Sequence, residues 1–374
     1  MVNSETRVKA LLVIQGRRSP ELFASAMIGE KSGTMPRFSV FENELGTICH
    51  DLKMIDQAPL IRRMLYRFMP QYLALAIEVF RIRKDYDVVV TWSEQVTIFF
   101  ALLQTFSRVR KAHVAMIYWM SKPNIKGLLR LVHRNIDCIV TWSSRQRDLA
   151  ITTIGIPAKK ITLVQHHVDQ LYWTAAPSSS PPFLGSDFIM SAGAEMRDFS
   201  TLIAAVEGTE IVCRIAAKEI RIPGRLRARI LAPEQVSGSL PPNLTLRPAA
   251  PIEVRELYRN CRFVVVPLLE TDTDNGVTVI LEAMSCGKAV ICTRTRGQKD
   301  TIEHGVTGIF VEPDSPSALR EAILHLWNNP AEAARLGKNA RTYIEQSRHP
   351  TERFCSDAAA SVRRTAAQVA AGDR

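Results

Sequence analysis

The chain has 374 residues, 46% of them apolar and 23% charged, and its 48 Lys and Arg against 37 Asp and Glu leave a net charge of +11. That is the balance of a globular protein too long for one ordinary core, which excludes disordered and fibrous classes and points to two domains. The surplus of positive charge favours anionic partners: phosphorylated small molecules, acidic lipid surfaces or nucleic acid.

Strands alternate with helical patterns almost throughout. Apolar, β-branched runs at 10–14, 88–91, 114–118, 138–141 and 161–164 read as buried parallel strands. Helix-period segments lie between them, as at 60–83 and 125–134. Residues 87–94 (DVVVTWSE) and 137–144 (DCIVTWSS) echo one another, each a strand ending in Thr-Trp-Ser before a helix start. Two such ends in one parallel sheet share a rim, where ligands usually bind. Residues 174–182, TAAPSSSPP, read as a linker. The alternation then restarts. Strands are expected at 188–191, 211–215, 244–246, 263–266, 289–292 and 309–311, and helices from 198 and at 251–258, 276–286 and 315–327. The last segment, from 350, is Ala-rich and helical.

The seven Cys are odd in number and form no C-x-x-C pair, and several sit in apolar runs. They read as reduced, buried thiols of a cytoplasmic protein. The first residues lack the apolar stretch of a signal peptide, and no run of about 18 apolar residues follows, so no membrane span is expected.

The chemistry concentrates in 264–311, VVVPLLETDTDNGVTVILEAMSCGKAVICTRTRGQKDTIEHGVTGIFV. A strand ends near Val266, an acidic polar loop runs from 270 to 275, and Asn275 and Gly276 open a helix that Gly287 ends. The free N–H groups of that helix start make an anion site, and Gly276 lets a ligand approach the backbone. Glu282 follows Asp274 by about two helical turns. A carboxylate there accepts hydrogen bonds from a diol such as a ribose. The competing readings are a plain N-cap for Asp274 and a surface ion pair for Glu282.

This segment resembles the C-terminal domain of retaining, family-four-type glycosyltransferases. LEAMSCGKAVI at 281–291 and HGVTGIFVEPDSPSALREAI at 304–323 carry the likeness, and Asp274 and Glu282 meet the family's E-x₇-E spacing. The resemblance implies an α/β, GT-B fold: two doubly wound Rossmann-like domains facing a cleft. The domains are then 1–173 on the acceptor side and 183–350 for the nucleotide sugar, joined by the linker 174–182, with a helix at 351–374 returning toward the first. By the same resemblance Glu282 binds the nucleotide ribose. Asp274, an Asp where Glu is usual, contacts the donor sugar and is a candidate catalytic residue. The backbone amides of Asn275, Gly276, Val277 and Thr278 face the sugar and diphosphate.

Residues 188–206, FIMSAGAEMRDFSTLIAAV, resemble the family segment whose basic residue binds the donor diphosphate, a role that falls on Arg197. A guanidinium suits that task because it offers fixed charge and bidentate donors. An ion pair with Asp198 or Glu195 is the competing reading. Many family members carry a further Arg where this chain has Ala194, and Lys218 is the candidate to supply the missing charge. In the first domain only Gly16 stands where relatives have a Gly-Gly loop, followed by Arg17 and Arg18, and no His ends MIYWMSK at 116–122. Glu94 is then the candidate catalytic carboxylate, with an ordinary acid of a helix start as its alternative. The paired His166 and His167 lack a further partner at metal-ligand spacing and read as a turn.

The expected protein is a hexosyltransferase-type enzyme of polysaccharide biosynthesis. It moves a sugar from a UDP- or GDP-linked donor to a glycan or lipid-linked acceptor, with retention, without a metal and without a cofactor. The alternative is a non-catalytic nucleotide-sugar or nucleic-acid binding protein. Scattered basic residues and the lack of RRM, KH or helix-turn-helix motifs speak against nucleic acid as a partner. No G-x-G-x-x-G follows a strand, which speaks against a dehydrogenase. Basic–apolar helices at 61–84 carry Arg62, Arg63, Arg67, Arg81, Arg83 and Lys84. They lead to an expectation of peripheral contact with anionic membrane at the inner face of the plasma membrane, against a core helix with a solvated rim.

Overall fold

The computed structural model describes residues 8–17, 20–175, 188–217, 240–347 and 349–372. The chain divides into two compact units. The first draws on 1–28, 38–165 and 352–374. Its strands are β1 Ala10–Ile14, β2 Cys49–His50, β3 Val88–Trp92, β4 Ala112–Met116, β5 Cys138–Thr141 and β6 Ile161–Leu163. They form a parallel sheet in the order β2-β1-β3-β4-β5-β6.

Strand side chains alternate between faces, and both faces of this sheet are covered. Ala10, Leu12, Val88, Val90 and Val114 pack with Phe354, Ala358 and Val362 of the terminal helix Thr351–Ala370. Leu11, Val13 and Val89 pack with Leu75, Val79 and Phe100 from the helices Gln71–Ile82 and Glu94–Thr105. A sheet buried on both sides needs apolar residues at successive positions, which is why these strands read as apolar runs.

Two expectations change here. The strand expected at 114–118 begins at Ala112, and the helix expected at 60–83 is two helices, Leu60–Tyr66 and Gln71–Ile82. Pro70 makes the break. It has no N–H to continue the first helix, and it sits extended, its carbonyl accepting from Ala74 N at 3.2 Å.

The second unit comprises 29–37 and 166–351. Its strands are β7 Phe188–Ala192, β8 Val212–Ala216, β9 Leu244–Arg247, β10 Val264–Val266, β11 Val290–Thr293 and β12 Ile309–Val311. They form a parallel sheet in the order β12-β11-β10-β7-β8-β9. Met190, Val264 and Cys292 pack with Tyr258, Ile280 and Ile344 from the helices Pro251–Asn260, Val277–Ser285 and Pro330–Gln346. Ile189, Val265 and Ile291 pack with Leu202 and Leu319 from Phe199–Val206 and Pro316–Asn328. The helix Pro330–Gln346 is absent from the sequence expectations. It packs backbone to backbone: a Cβ on Gly337 would lie 2.2 Å from the Gly287 carbonyl oxygen.

The division between units does not fall where the sequence placed it. The expected first domain, 1–173, stops at Gln165, because residues from His166 onward join the second unit. Val168 N donates to His349 O at 2.8 Å, and Trp173 is buried edge-on to Tyr258 with ring centroids 5.5 Å apart. Residues 29–37 join it too, Arg37 Nη2 holding Asp169 Oδ1 at 2.7 Å. Of the linker at 174–182, residues 176–182 lie outside the described residues, as does Lys218. Strand order reverses between β1 and β3 in one sheet and between β7 and β10 in the other. Open α/β sheets bind ligands outside the carboxyl ends of strands at such reversals.

Candidate functional site

At the reversal of the second sheet the chain makes two glycine turns. After β7, Gly193 has φ 79°, and a Cβ there would lie 2.8 Å from Arg197 Nη2. After β10, Gly276 has φ 86°, and a Cβ would lie 2.9 Å from Val266 Cγ1 and 3.6 Å from Arg197 Nη1. Both turns need a residue without a side chain, for conformation and for space. The guanidinium is therefore held between two glycines. Its Nε donates to Ala192 O at 3.0 Å and its Nη1 to Glu195 O at 2.8 Å. Burial pulls Arg197 below its ordinary value, yet a guanidinium keeps its charge. Asp198, its expected alternative partner, instead caps the helix Phe199–Val206, accepting from Thr201 N at 3.1 Å. The helix Val277–Ser285 starts at Gly276, so the positive end of its dipole lies beside the same cation.

A cavity of about 860 Å³ takes in both turns. It is lined by Gly193, Ala194 and Arg197, by Gly276, Thr278, Val279 and Glu282, and by an apolar wall that includes Trp173, Ala216 and residues 248–251. Tyr258 Oη donates to Glu282 Oε2 at 3.0 Å. Burial pushes the Glu282 carboxyl up to about 8, against the pull of the Tyr258 bond and the Arg197 charge. Burial and the Glu282 charge push the Tyr258 phenol far up, so it remains a donor.

Arg197, Gly276, Thr278 and Glu282 thus share one cavity, and the neighbouring candidates do not line it. Asn275 Nδ2 donates to Thr271 Oγ1 at 3.0 Å, and Val277 belongs to the core. Asp274 is 4% exposed and is not among the residues that line the cavity. Thr273 Oγ1 donates to its Oδ1 at 3.2 Å, and burial pushes its carboxyl up to about 7. Nor does that carboxyl cap the helix, since it is the Asp274 carbonyl that accepts Val277 N, at 3.1 Å.

Three residues beside this site are not among the expected site residues, although His166 reads in the sequence as part of a turn. Tyr258 is one. Gln298 is another: its Nε2 donates to Asp274 O at 3.3 Å and to Asn275 O at 3.1 Å, which ties down the loop before the helix. The third is His166. Its Nδ1 accepts from His167 N at 2.7 Å, so the ring proton sits on Nε2, 3.5 Å from Thr278 Oγ1. Burial, helped by His167 and His349, holds this ring down to about 3, so it faces Thr278 as a neutral donor.

Gly16 and Glu94 lie in the first unit, after β1 and β3 at its own reversal. Gly16 O accepts Leu52 N at 3.0 Å, and Arg17 is held by Asp56 at 2.7 Å, while Arg18 lies outside the described residues. Glu94 opens its helix behind the N-cap Ser93, with Lys122 Nζ 3.9 Å away. Its Oε1 is enclosed without a hydrogen bond among the described residues. The echoed residues Trp92 and Trp142 meet with ring centroids 6.3 Å apart, and Tyr118 stacks on Trp142 at 5.9 Å.

Residues 244–343, from β9 into the helix Pro330–Gln346, match the family model for glycosyl transferases group 1. The second unit carries a group 1 glycosyltransferase domain. An uncharacterized glycosyltransferase of Methanocaldococcus jannaschii is 35% identical over 94 residues, 25% of this chain and 26% of that protein. A D-rhamnosyltransferase of Pseudomonas aeruginosa is 35% identical over 68 residues, 18% of each chain. D-inositol 3-phosphate glycosyltransferase 1 of Catenulispora acidiphila is 23% identical over 224 residues, 54% of this chain and 52% of that protein. The chain therefore spans about half the length of these curated relatives, or less. Solved structures extend the likeness in fold. Sucrose-phosphate synthase from Thermosynechococcus elongatus has a TM-score of 0.68 at 16% identity, covering 97% of this chain and all of that one, 100%. HepE of Anabaena in complex with UDP-glucose has a TM-score of 0.64 at 15% identity, over 97% and 100%. The glycosyltransferase domain is thus part of a GT-B fold, doubly wound and α/β in both units.

Proposed function

We propose that the chain moves a sugar from a nucleotide-diphosphate donor to a glycan or lipid-linked acceptor, with retention at the anomeric carbon and without a divalent metal. One observation carries this reading: the Arg197 guanidinium, held between Gly193 and Gly276 at the start of the helix Val277–Ser285, opens on the same cavity as Glu282. A nucleotide sugar needs those two features together. Its diphosphate seats at the cation and helix start, and its ribose diol donates to the carboxylate. When the bond from the anomeric carbon to phosphate breaks, both electrons stay on the phosphate oxygen, and the fixed positive field stabilises them without reorganising. That field does the work a divalent cation does elsewhere. The acceptor oxygen forms the new bond and gives up its proton, for which Glu94 is the proposed base. HepE, bound to UDP-glucose, is similar in fold and supports a UDP-linked donor.

Incubation with UDP- and GDP-sugars, with Mg²⁺ and with a chelator, tests it. Release of nucleotide that is unaffected by the chelator and lost in Glu282→Gln is expected. Nucleotide binding with no turnover on any donor and acceptor would leave a binding protein instead.

A further inference from the structure

The helix Leu60–Tyr66 and the turn after it have their polarity reversed. Inward, Arg62 Nη1 stands 3.2 Å from Glu78 Oε1, and Tyr66 Oη donates to the same buried carboxylate. Tyr66 also packs with Ala58 and Ala74. Outward, Leu60, Ile61, Met64, Leu65 and Phe68 are between 55% and 90% exposed. Their spacing makes one helical stripe. A helix on a solvated surface does the opposite, burying its apolar stripe and wetting its polar one. Single exposed apolar residues need no explanation, but a contiguous stripe marks a contact surface.

The charges around the stripe say what it meets. Arg63 and Arg67 are exposed within it. From position 59 to position 84 the sequence carries six Lys and Arg against a single carboxylate, Glu78, and that one is buried. Not all six are outward, as the sequence had led one to expect. Arg62 is spent on Glu78, and Arg83 is buried, donating to Ser107 Oγ at 2.7 Å. The outward cations are Arg63, Arg67, Arg81 and Lys84. A second copy of the chain would bring the same positive charge against itself across a two-fold contact. A bilayer with anionic headgroups offers what the stripe lacks: negative charge at its face and hydrocarbon beneath.

We propose that this stripe docks on an anionic bilayer, with Ile61, Met64, Leu65 and Phe68 entering the interface and Arg63 and Arg67 meeting headgroup phosphates. The inward bonds of Arg62 and Tyr66 hold the helix so that this face stays presented. Attachment is then partly apolar, and salt weakens it without abolishing it. Among the described residues no helix is long and apolar enough to cross a membrane, so this contact would be a surface one.

Co-sedimentation of the full chain with vesicles of phosphatidylglycerol and phosphatidylcholine in equal parts tests the proposal without donor or turnover. Wild type should pellet with these vesicles and weakly with phosphatidylcholine alone, and part of the binding should survive high salt. Met64→Ser with Phe68→Ser should cut binding by about tenfold or more. Phe68→Ser alone, at a fully solvated position, guards against misfolding and should lower binding with an unchanged melting temperature. Arg63→Gln with Arg67→Gln should abolish the preference for the anionic lipid. Wild type that stays in solution, serine variants that pellet as wild type does, or a dimer that the serine changes turn into monomer would overturn it. Vesicle binding by a chain that releases no nucleotide would sink the proposed enzyme and leave the docking surface standing.

Discussion

Tyr258 Oη donates to Glu282 Oε2 at 3.0 Å from a position with no exposure of its own. Tyr258→Phe keeps the ring against Trp173 and takes away only this donor. An enclosed acceptor left without its partner costs about 1–3 kcal/mol. Urea unfolding of the variant should show a loss of that size, and an unchanged midpoint would mean that the bond contributes nothing.

Glu282→Gln replaces the carboxyl that the diol would meet with an amide, which should weaken binding of UDP or GDP by about 1–3 kcal/mol. Calorimetric titration of both nucleotides measures it. Equal affinity in wild type and variant would remove Glu282 from the ribose.

Arg197→Ala should weaken a nucleoside diphosphate and leave the matching nucleoside nearly unchanged, because the proposed seat of the phosphates is at the guanidinium. Its hydrogen bonds to Ala192 O and Glu195 O also brace the β7 turn. Equal losses for nucleoside and nucleotide would show that bracing to be its whole role.

Stability should fall as pH rises above neutral. Burial puts Glu282 at about 8 against an ordinary 4.5, and Asp274 at about 7 against 3.8. Both values are raised, so the folded chain holds more protons than the unfolded one. Their contribution is fully present below the unfolded values and is lost as pH rises through about 7 and then about 8. His113, His166 and His167, held down to about 3 or 4 by burial, act in the opposite sense below their ordinary 6.5. The carboxyl effect is therefore clean only above that value. Melting temperature followed upward from neutrality should decline, and Glu282→Gln should flatten the upper part. A wild-type curve that rises there would contradict the assignment.

Gly276→Ala should destabilise by about 1–3 kcal/mol, since a residue with a side chain pays for the left-handed backbone. The new methyl would also press on Val266 Cγ1 from 2.9 Å. Both nucleotide affinity and unfolding free energy should drop together.

What could be read in advance follows from what acts locally. Strand runs such as Val88 to Val90 and the Gly276 helix start announce themselves, because apolar period and glycine are properties of neighbours in sequence. The echoed Thr-Trp-Ser ends also placed Trp92 and Trp142 on one rim, and their rings meet. Tyr258 looked like any aromatic on a helix, because its partner, Glu282, is brought to it by the sheet. The same holds for Arg62 and Arg83, which look like surface charge until Glu78 and Ser107 are seen beside them. Residues 29–37 gave no sign of belonging with His166 onward, since the Arg37–Asp169 pair spans most of the first unit in sequence. Asp274 keeps the family spacing, and only the fold shows its carboxyl buried beside Thr273 and outside the lining of the cavity.

One face of the first sheet, carrying Ala10, Leu12, Val88 and Val90, is closed by Phe354, Ala358 and Val362. During synthesis that face therefore has only Phe41 and Leu45 against it after all six strands have left the ribosome, until the helix Thr351–Ala370 emerges. The whole of the other sheet is produced in the interval between β6 and that helix. Any premature stop or proteolytic nick that removes the terminal helix leaves an adhesive apolar face on an otherwise assembled sheet. Such a chain would be prone to aggregate while the residues around Arg197 and Glu282 are all still present.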